Sequence, residues 1–252
     1  MSMPIDIQQF SIILCVAFVA SSLSSLSGAG AAILTTPVWL SLGFSLPAAI
    51  ASNQLNGAAW TPIAARNYLK GKDADWPLIR IMVCFGLAGA FAGTRIVFGI
   101  DALVLTRVIG GIIIALVLFV TFNPAMGRTE TTPILSRSVT GVIAFPIGVY
   151  ESFFGSGNGL FTSILLTKTR GMPLLTALGS YYAIAFFLNS FAVVVYGVAG
   201  YADLRLMIPS TVGSVLGAYI GSRIGRGKGY GLVRTMFLFL GGVLGLKLVL
   251  GW

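Results

Sequence analysis

The 252-residue chain is 56% hydrophobic and only 9% charged, against about 25% charged residues in a soluble domain, which excludes a soluble globular protein and leaves an integral membrane one. Its net charge of +9 does not signal nucleic acid. The Lys and Arg residues are scattered in short loops between apolar runs, as the positive-inside rule requires. The sequence has no His and no G-x-x-x-x-G-K-[ST] loop, so histidine-based metal or catalytic sites and an ATP-driven engine are excluded from this chain, and no cofactor or metal is expected.

In chain order the apolar segments fall at 7–27, 29–42, 47–69, 77–98, 102–123, 137–154, 158–168, 173–197, 204–224 and 231–251. A full crossing takes about 20 residues, so the second and seventh segments are half-length. Both follow a glycine cluster: Ser27-Gly28-Ala29-Gly30 in one case, Gly155-Ser156-Gly157-Asn158-Gly159 in the other. Gly30 and Gly157 are poor helix-interior residues. Each half therefore reads as a helix, a glycine break and a short half-helix. Breaks at membrane depth survive only inside protein or against a wet cavity. No Lys/Arg-rich region precedes segment 7–27, so it is expected to be retained rather than cleaved. Cys15 and Cys84 lie in apolar segments and are expected as free, buried thiols. Trp39, Trp76 and Trp252 suit interfacial belts or packing, and Trp60, near a polar cluster, is the candidate for a ligand contact.

The two halves repeat. Gly89-Ala90-Phe91-Ala92-Gly93-Thr94-Arg95 matches Gly217-Ala218-Tyr219-Ile220-Gly221-Ser222-Arg223. Gly28-Ala29-Gly30 lies over Gly155-Ser156-Gly157, and Ala51-Ser52-Asn53 over Leu178-Gly179-Ser180. The organisation expected is a transmembrane repeat at 1–123, a cytoplasmic linker at 124–136 containing Pro124, Gly127 and Pro133, and a second repeat at 137–252. If each segment pair returns the chain to the side it left, twelve of the sixteen Lys and Arg residues share one side. Arg95, Arg107, Arg205 and Lys247 remain on the other. If the short second segment only dips back, the split is even. The positive-inside rule selects the first arrangement. It puts both termini outside the cytoplasm. With an odd number of segments per half, the second repeat is inverted relative to the first. The expected fold is an all-α integral membrane protein of two inverted repeats, each of about five helical segments with a glycine-broken helix or re-entrant hairpin.

Four groups of residues carry chemistry. The two breaks, Ser27–Gly30 and Gly155–Gly159, present bare N–H groups and helix N-termini, which bind anions without a side-chain charge. Their competing role is close helix packing. Ser52, Asn53, Gln54 and Asn56 in one half, and Ser180, Tyr181, Tyr182 and Asn189 in the other, are hydrogen-bonding groups in apolar stretches. They serve a ligand or hold helices together. Glu151 is the only acid well inside an apolar segment, a candidate for a coupling ion or a partner of Arg137 or Arg223. Arg95 and Arg223, at matching repeat positions, either steer an anion into two mouths or snorkel to the headgroups.

The glycine cluster at Gly28 before a helix expected to end near Pro37, the following Ala51-Ser52-Asn53, their second-half copies and the two Gly-Ala-x-x-Gly-[Thr/Ser]-Arg stretches resemble the sulfite exporter TauE/SafE family, the TSUP transporters. The chain departs from the fuller glycine run at Ala31-Ala32 and lacks a proline at Ile164. The resemblance implies a secondary transporter, not an enzyme, for sulfite, thiosulfate or organosulfonates, aromatic ones included. Alternating access around a midplane anion site is implied, in the inner (plasma) membrane. An anion channel, or a carrier for another small organic anion, is the alternative. The partners expected are the small anion, a coupling proton or sodium ion and the lipid bilayer, with a homodimer left open and nucleic acid excluded.

Overall fold

In the computed structural model, residues 6–96, 102–151 and 157–250 are described, the side chains of 94–96, 102–106, 108 and 109 excepted. The calls on Gly155, Ser156, Trp252 and the Arg95 side chain lie outside the described residues. All regular structure among them is helical: α1 (Ile7–Ser27), α2 (Ala32–Ser41), α3 (Leu46–Leu69), α4 (Trp76–Ile96), α5 (Ala102–Phe122), α6 (Arg137–Val142), α7 (Ala144–Glu151), α8 (Asn158–Arg170), α9 (Leu174–Val198), α10 (Leu204–Lys228) and α11 (Tyr230–Leu250). Among the described residues, α1, α4 to Gly93, α9, α10 and α11 are apolar and long enough to cross a bilayer. Helix α3 has the length, 24 residues, but carries Ser52, Asn53, Gln54, Asn56 and Asn67. Helices α2 and α8, of 10 and 13 residues, rise only about 15 and 20 Å.

Local chemistry sets the boundaries. Gly28 ends α1 in the left-handed region, φ 75°, with its N–H donated to Ser24 O at 2.7 Å. A side chain there is strained, so glycine is the natural stop. Ser45 and Ser136 accept N–H groups from Ala48 and Val139 at the starts of α3 and α6. The segment expected as one run over 137–154 is interrupted at Ile143. Pro146 has no N–H for the Val142 carbonyl, and its ring opposes the preceding turn. Helix α2 begins at Ala32 and does not end near Pro37; it runs through it to Ser41. The carbonyl that Pro37 leaves free, Ile33 O, accepts the Lys247 ammonium from α11 at 3.1 Å. The expectation of buried thiols fails: Cys15 and Cys84 are free but exposed, on the outer faces of α1 and α4. An apolar run fixes helix formation, not which face meets lipid.

Packing follows the glycines. Along α10, a Cβ at Gly213, Gly217 or Gly221 would strike the carbonyls of Leu14, Phe18 and Ser22 on α1. The two backbones are in contact and run parallel, as small residues allow in lipid. Helices α6–α7 and α4 meet the same way, Gly141 on Ile81 and Gly148 on Gly86, with Gly89 on Phe145 O as Gly217 is on Phe18 O. Since α4 corresponds to α10 in the repeat, and α6–α7 to α1, these are one contact seen twice. Helix α3 packs on its own counterpart α9, Gly57 against Asn189 and Gly179 against Tyr68. Helix α5 packs on its counterpart α11, Gly110 against Leu248 and Gly241 against Val117. In both pairs residue numbers rise on one helix as they fall on the other. Counterparts therefore run antiparallel, which inverted repeats require.

One contact between the halves is electrostatic. Asp75, before α4, accepts both Arg137 Nε contacts at 2.9 Å, while Arg170 Nη2 at the end of α8 lies 3.6 Å from its other oxygen. Among the described residues the equivalent acid, Asp203, forms an ion pair only with the neighbouring Arg205, whose hydrogen bond holds the Asp203 carboxyl below the usual carboxylate range. So this latch exists on one face only. Replacing Asp75 with Ala is expected to cost about 1–3 kcal/mol, because Arg170 is largely buried and loses its counter-charge. Arg137→Ala, whose side chain is half exposed, is expected to cost about 1 kcal/mol or less. Denaturant titration in detergent micelles measures both, and equal costs would contradict the burial argument.

Candidate functional site

The two glycine breaks touch. Gly157 donates its N–H to Ala29 O at 2.8 Å. A Cβ at Gly28 would come within 3.1 Å of the Gly159 backbone, and one at Gly159 within 2.5 Å of Gly28 O. Both sides of this junction turn through left-handed glycines, Gly30 at φ 89° and Gly157 at φ 90°, a geometry closed to L-residues without strain. Gly157 delivers the chain into α8, whose first residues Asn158 and Gly159 are buried.

The junction is roofed by aromatic rings from α3 and α9. Trp60 stands edge-on to Tyr182 at 5.3 Å, Tyr181 lies 5.1 Å from Tyr182, and Tyr68 stacks on Tyr182 at 6.0 Å. The phenols cap α1: Tyr182 donates to Ser24 O at 2.9 Å, and Tyr68 to Ser25 O at 2.9 Å. Ser25 O is one of the carbonyls that a helix end leaves without an intrahelical partner, while Ser24 O already accepts the Gly28 N–H. Ser27 Oγ accepts the Ala29 N–H at 3.1 Å and so shapes the turn rather than facing a cavity.

The polar residues divide by whether their bonds are already made. Asn53 accepts from Thr35 Oγ1 at 2.8 Å and Trp39 Nε1 at 3.2 Å, and donates to Thr36 Oγ1 at 2.9 Å. It ties α2 to α3, and Trp39 is a packing residue. Asn56 Oδ1 accepts from Ser210 and Thr211 of α10 at 3.2 and 2.8 Å, with Ser52 on Ser210 at 2.8 Å. Gln54 is buried and finds no hydrogen-bond partner among the described residues. Asn158 is 0% exposed, and among the described residues neither its Oδ1 nor its Nδ2 has a partner; nor does Ser180 Oγ, 1% exposed. An unmet buried polar group costs about 1–3 kcal/mol, and Asn158 is left in this state at the first residue of α8.

Glu151 closes α7 and is buried, with Oε2 unpartnered. Neither Arg137, held by Asp75, nor Arg223 pairs with it. Arg223 is exposed on α10 and lies over the Tyr219 ring at 5.2 Å. The carboxylate is within electrostatic reach of Tyr181, whose ring edge abuts Gly159. Sequence reasoning missed Tyr68 and Lys247. Lys247 could have been found from Pro37, since a proline inside an apolar helix strands a carbonyl.

Comparison with known proteins places this geometry in a family. A family model described as sulfite exporter TauE/SafE matches residues 13–248. A probable membrane transporter protein of Haemophilus influenzae is 26% identical over 99% of both chains. The probable membrane transporter protein YfcA of Escherichia coli K12 is 24% identical over 93% of this chain and 87% of its own. YdhB of Bacillus subtilis, also called a probable membrane transporter protein, is 24% identical over 84% of this chain and 89% of its own. No solved structure matches. With nearly its whole length matched, this chain belongs to the sulfite exporter TauE/SafE family of multi-pass membrane proteins.

Proposed function

We propose that the protein is a secondary transporter of a small sulfur-containing anion, sulfite, thiosulfate or an organosulfonate, which binds where the two glycine breaks meet. The observation that carries this reading is the contact of Gly28 with Gly159 beside Asn158, whose amide has no partner among the described residues, with the unpartnered Ser180 hydroxyl one residue from Tyr181, whose ring edge abuts Gly159. Discontinuous helices that meet in this way are the usual site of a transported ion or substrate. The donors are neutral. A neutral cradle holds an anion and still lets it go, whereas charge-assisted bonds add about 1.5–3 kcal/mol each and slow release. Asn158 offers two N–H donors, Ser180 and Tyr181 one hydroxyl each, and Trp60 an indole N–H. Gln54 is a further free donor. Asn53 and Asn56 hold the helices that carry the site.

On this reading the halves exchange between two arrangements about a pseudo-two-fold axis in the membrane plane. The termini lie outside the cytoplasm, the linker 124–136 inside, and the membrane is the inner (plasma) membrane. Glu151 carries the coupling ion. A binding titration with sulfite and with a sulfonate tests the site. Asn158→Ala and Ser180→Ala are each expected to weaken binding by about 0.5–3 kcal/mol, and Arg223→Ala to leave it unchanged. Unaltered affinity in both site variants, or loss of binding in Arg223→Ala alone, would refute the site.

A further inference from the structure

We propose that Glu151 is a proton site served from the face of the membrane on which α9 ends, and that sodium does not bind there. The role in coupling rests on the transporter reading above; the site and its sidedness do not. Glu151 sits in a crevice lined by Ala90 of α4 and by Leu188, Phe191, Ala192, Val195 and Tyr196 of α9. Apart from the carboxylate and the Tyr196 phenol, the side chains of this lining are carbon. A metal cation sheds its water only for a shell of several oxygens, and the described lining residues offer only the carboxylate and one phenol. A proton needs a single lone pair, transferred from water entering the crevice to a carboxylate oxygen.

The direction follows from α9. The lining residues occupy its C-terminal part, and at that end Tyr196 packs on Tyr201 of the following turn at 6.3 Å. Towards its N-terminal end, Tyr181 and Tyr182 are sealed against Trp60, Tyr68 and the carbonyls of α1. Among the described residues, Tyr196 of α9 and Ala90 of α4 share the crevice with Glu151, and Tyr150 of its own helix and Tyr181 of α9 are within electrostatic reach of it. Tyr181 also borders Gly159, so one phenol separates the proton site from the break junction. Protonation at Glu151 is thereby felt at the anion site without the two sharing an atom.

Cysteine labelling from each side tests this. In a Cys15→Ser, Cys84→Ser background, Gly200→Cys and Lys72→Cys define the two faces for a membrane-impermeant maleimide in sealed vesicles of both orientations. Glu151→Cys and Ala192→Cys are expected to label from the Gly200 face at least about tenfold faster than from the Lys72 face. Faster labelling from the Lys72 face, or none from either face while Gly200→Cys reacts, would overturn the proposal. Ala192→Cys decides alone if Glu151→Cys does not fold. Binding of radioactive sodium to the wild-type protein that disappears in Glu151→Gln would overturn the choice of proton. Neither readout contains a sulfur anion, so failure here is distinct from failure of the substrate assignment.

Discussion

Glu151→Gln is expected to reduce gradient-driven anion uptake to the level of empty vesicles while leaving anion binding nearly intact. The substitution keeps the shape of the side chain and the packing of α7 against α4. It removes the one group in the crevice that can take up and release an ion. A carboxylate at membrane depth costs at least about 2.5 kcal/mol on insertion scales, and its Oε2 has no partner among the described residues to offset this. The amide variant is therefore expected to be at least as stable as the parent. Its affinity, read from anion-induced thermal stabilisation, should stay within about twofold, a change below 0.5 kcal/mol. Wild-type uptake with an unchanged pH dependence would remove Glu151 from the coupling step.

Gly159→Ala is expected to damage both stability and anion binding. Its new methyl group would lie 2.5 Å from Gly28 O, 2.6 Å from Gly28 Cα and 2.7 Å from Tyr181 Cε1. Two of these atoms are backbone on the other half, so no side chain can swing away. Overpacking of this kind costs about 1–3 kcal/mol, occasionally more, and here it also forces apart the break junction proposed to bind the anion. Gly242→Ala in α11 is the control. Open space surrounds that position, and alanine is the better helix former by about 1 kcal/mol, so stability should hold or rise. Comparing the unfolding midpoints and sulfite affinity of the two variants measures the effect. A Gly159→Ala protein that binds and unfolds like the parent would show that the breaks are not in functional contact.

Much of the fold is legible in the sequence because lipid leaves few choices. Backbone groups without water must pair within a helix, so apolar runs translate directly into elements. The duplicated glycines then mark where those elements stop. Segment 137–154 went astray because Pro146 acts one turn back, on Val142, and composition does not register that. Burial of individual side chains was less legible. Cys15 and Cys84 sit on helices with lipid on one face and protein on the other, and their apolar neighbours look the same on both. The candidate site was legible as a set of residues, not as a set of roles. Asn53 and Asn158 are the same amide in similar surroundings by sequence. Only the placement of Thr35, Thr36 and Trp39 around Asn53, with none around Asn158, separates a helix tie from an open donor.

The central claim, that a sulfur anion is carried through the junction of the two breaks, is tested most directly by counterflow in proteoliposomes of the purified protein. Vesicles preloaded with unlabelled sulfite or sulfonate are diluted into a trace of the labelled anion. The account predicts transient accumulation that saturates with concentration and is lost in Asn158→Ala or Ser180→Ala. Uptake no greater than in empty liposomes for every sulfur anion tried would contradict it. So would a non-saturating flux without counterflow, the signature of a channel.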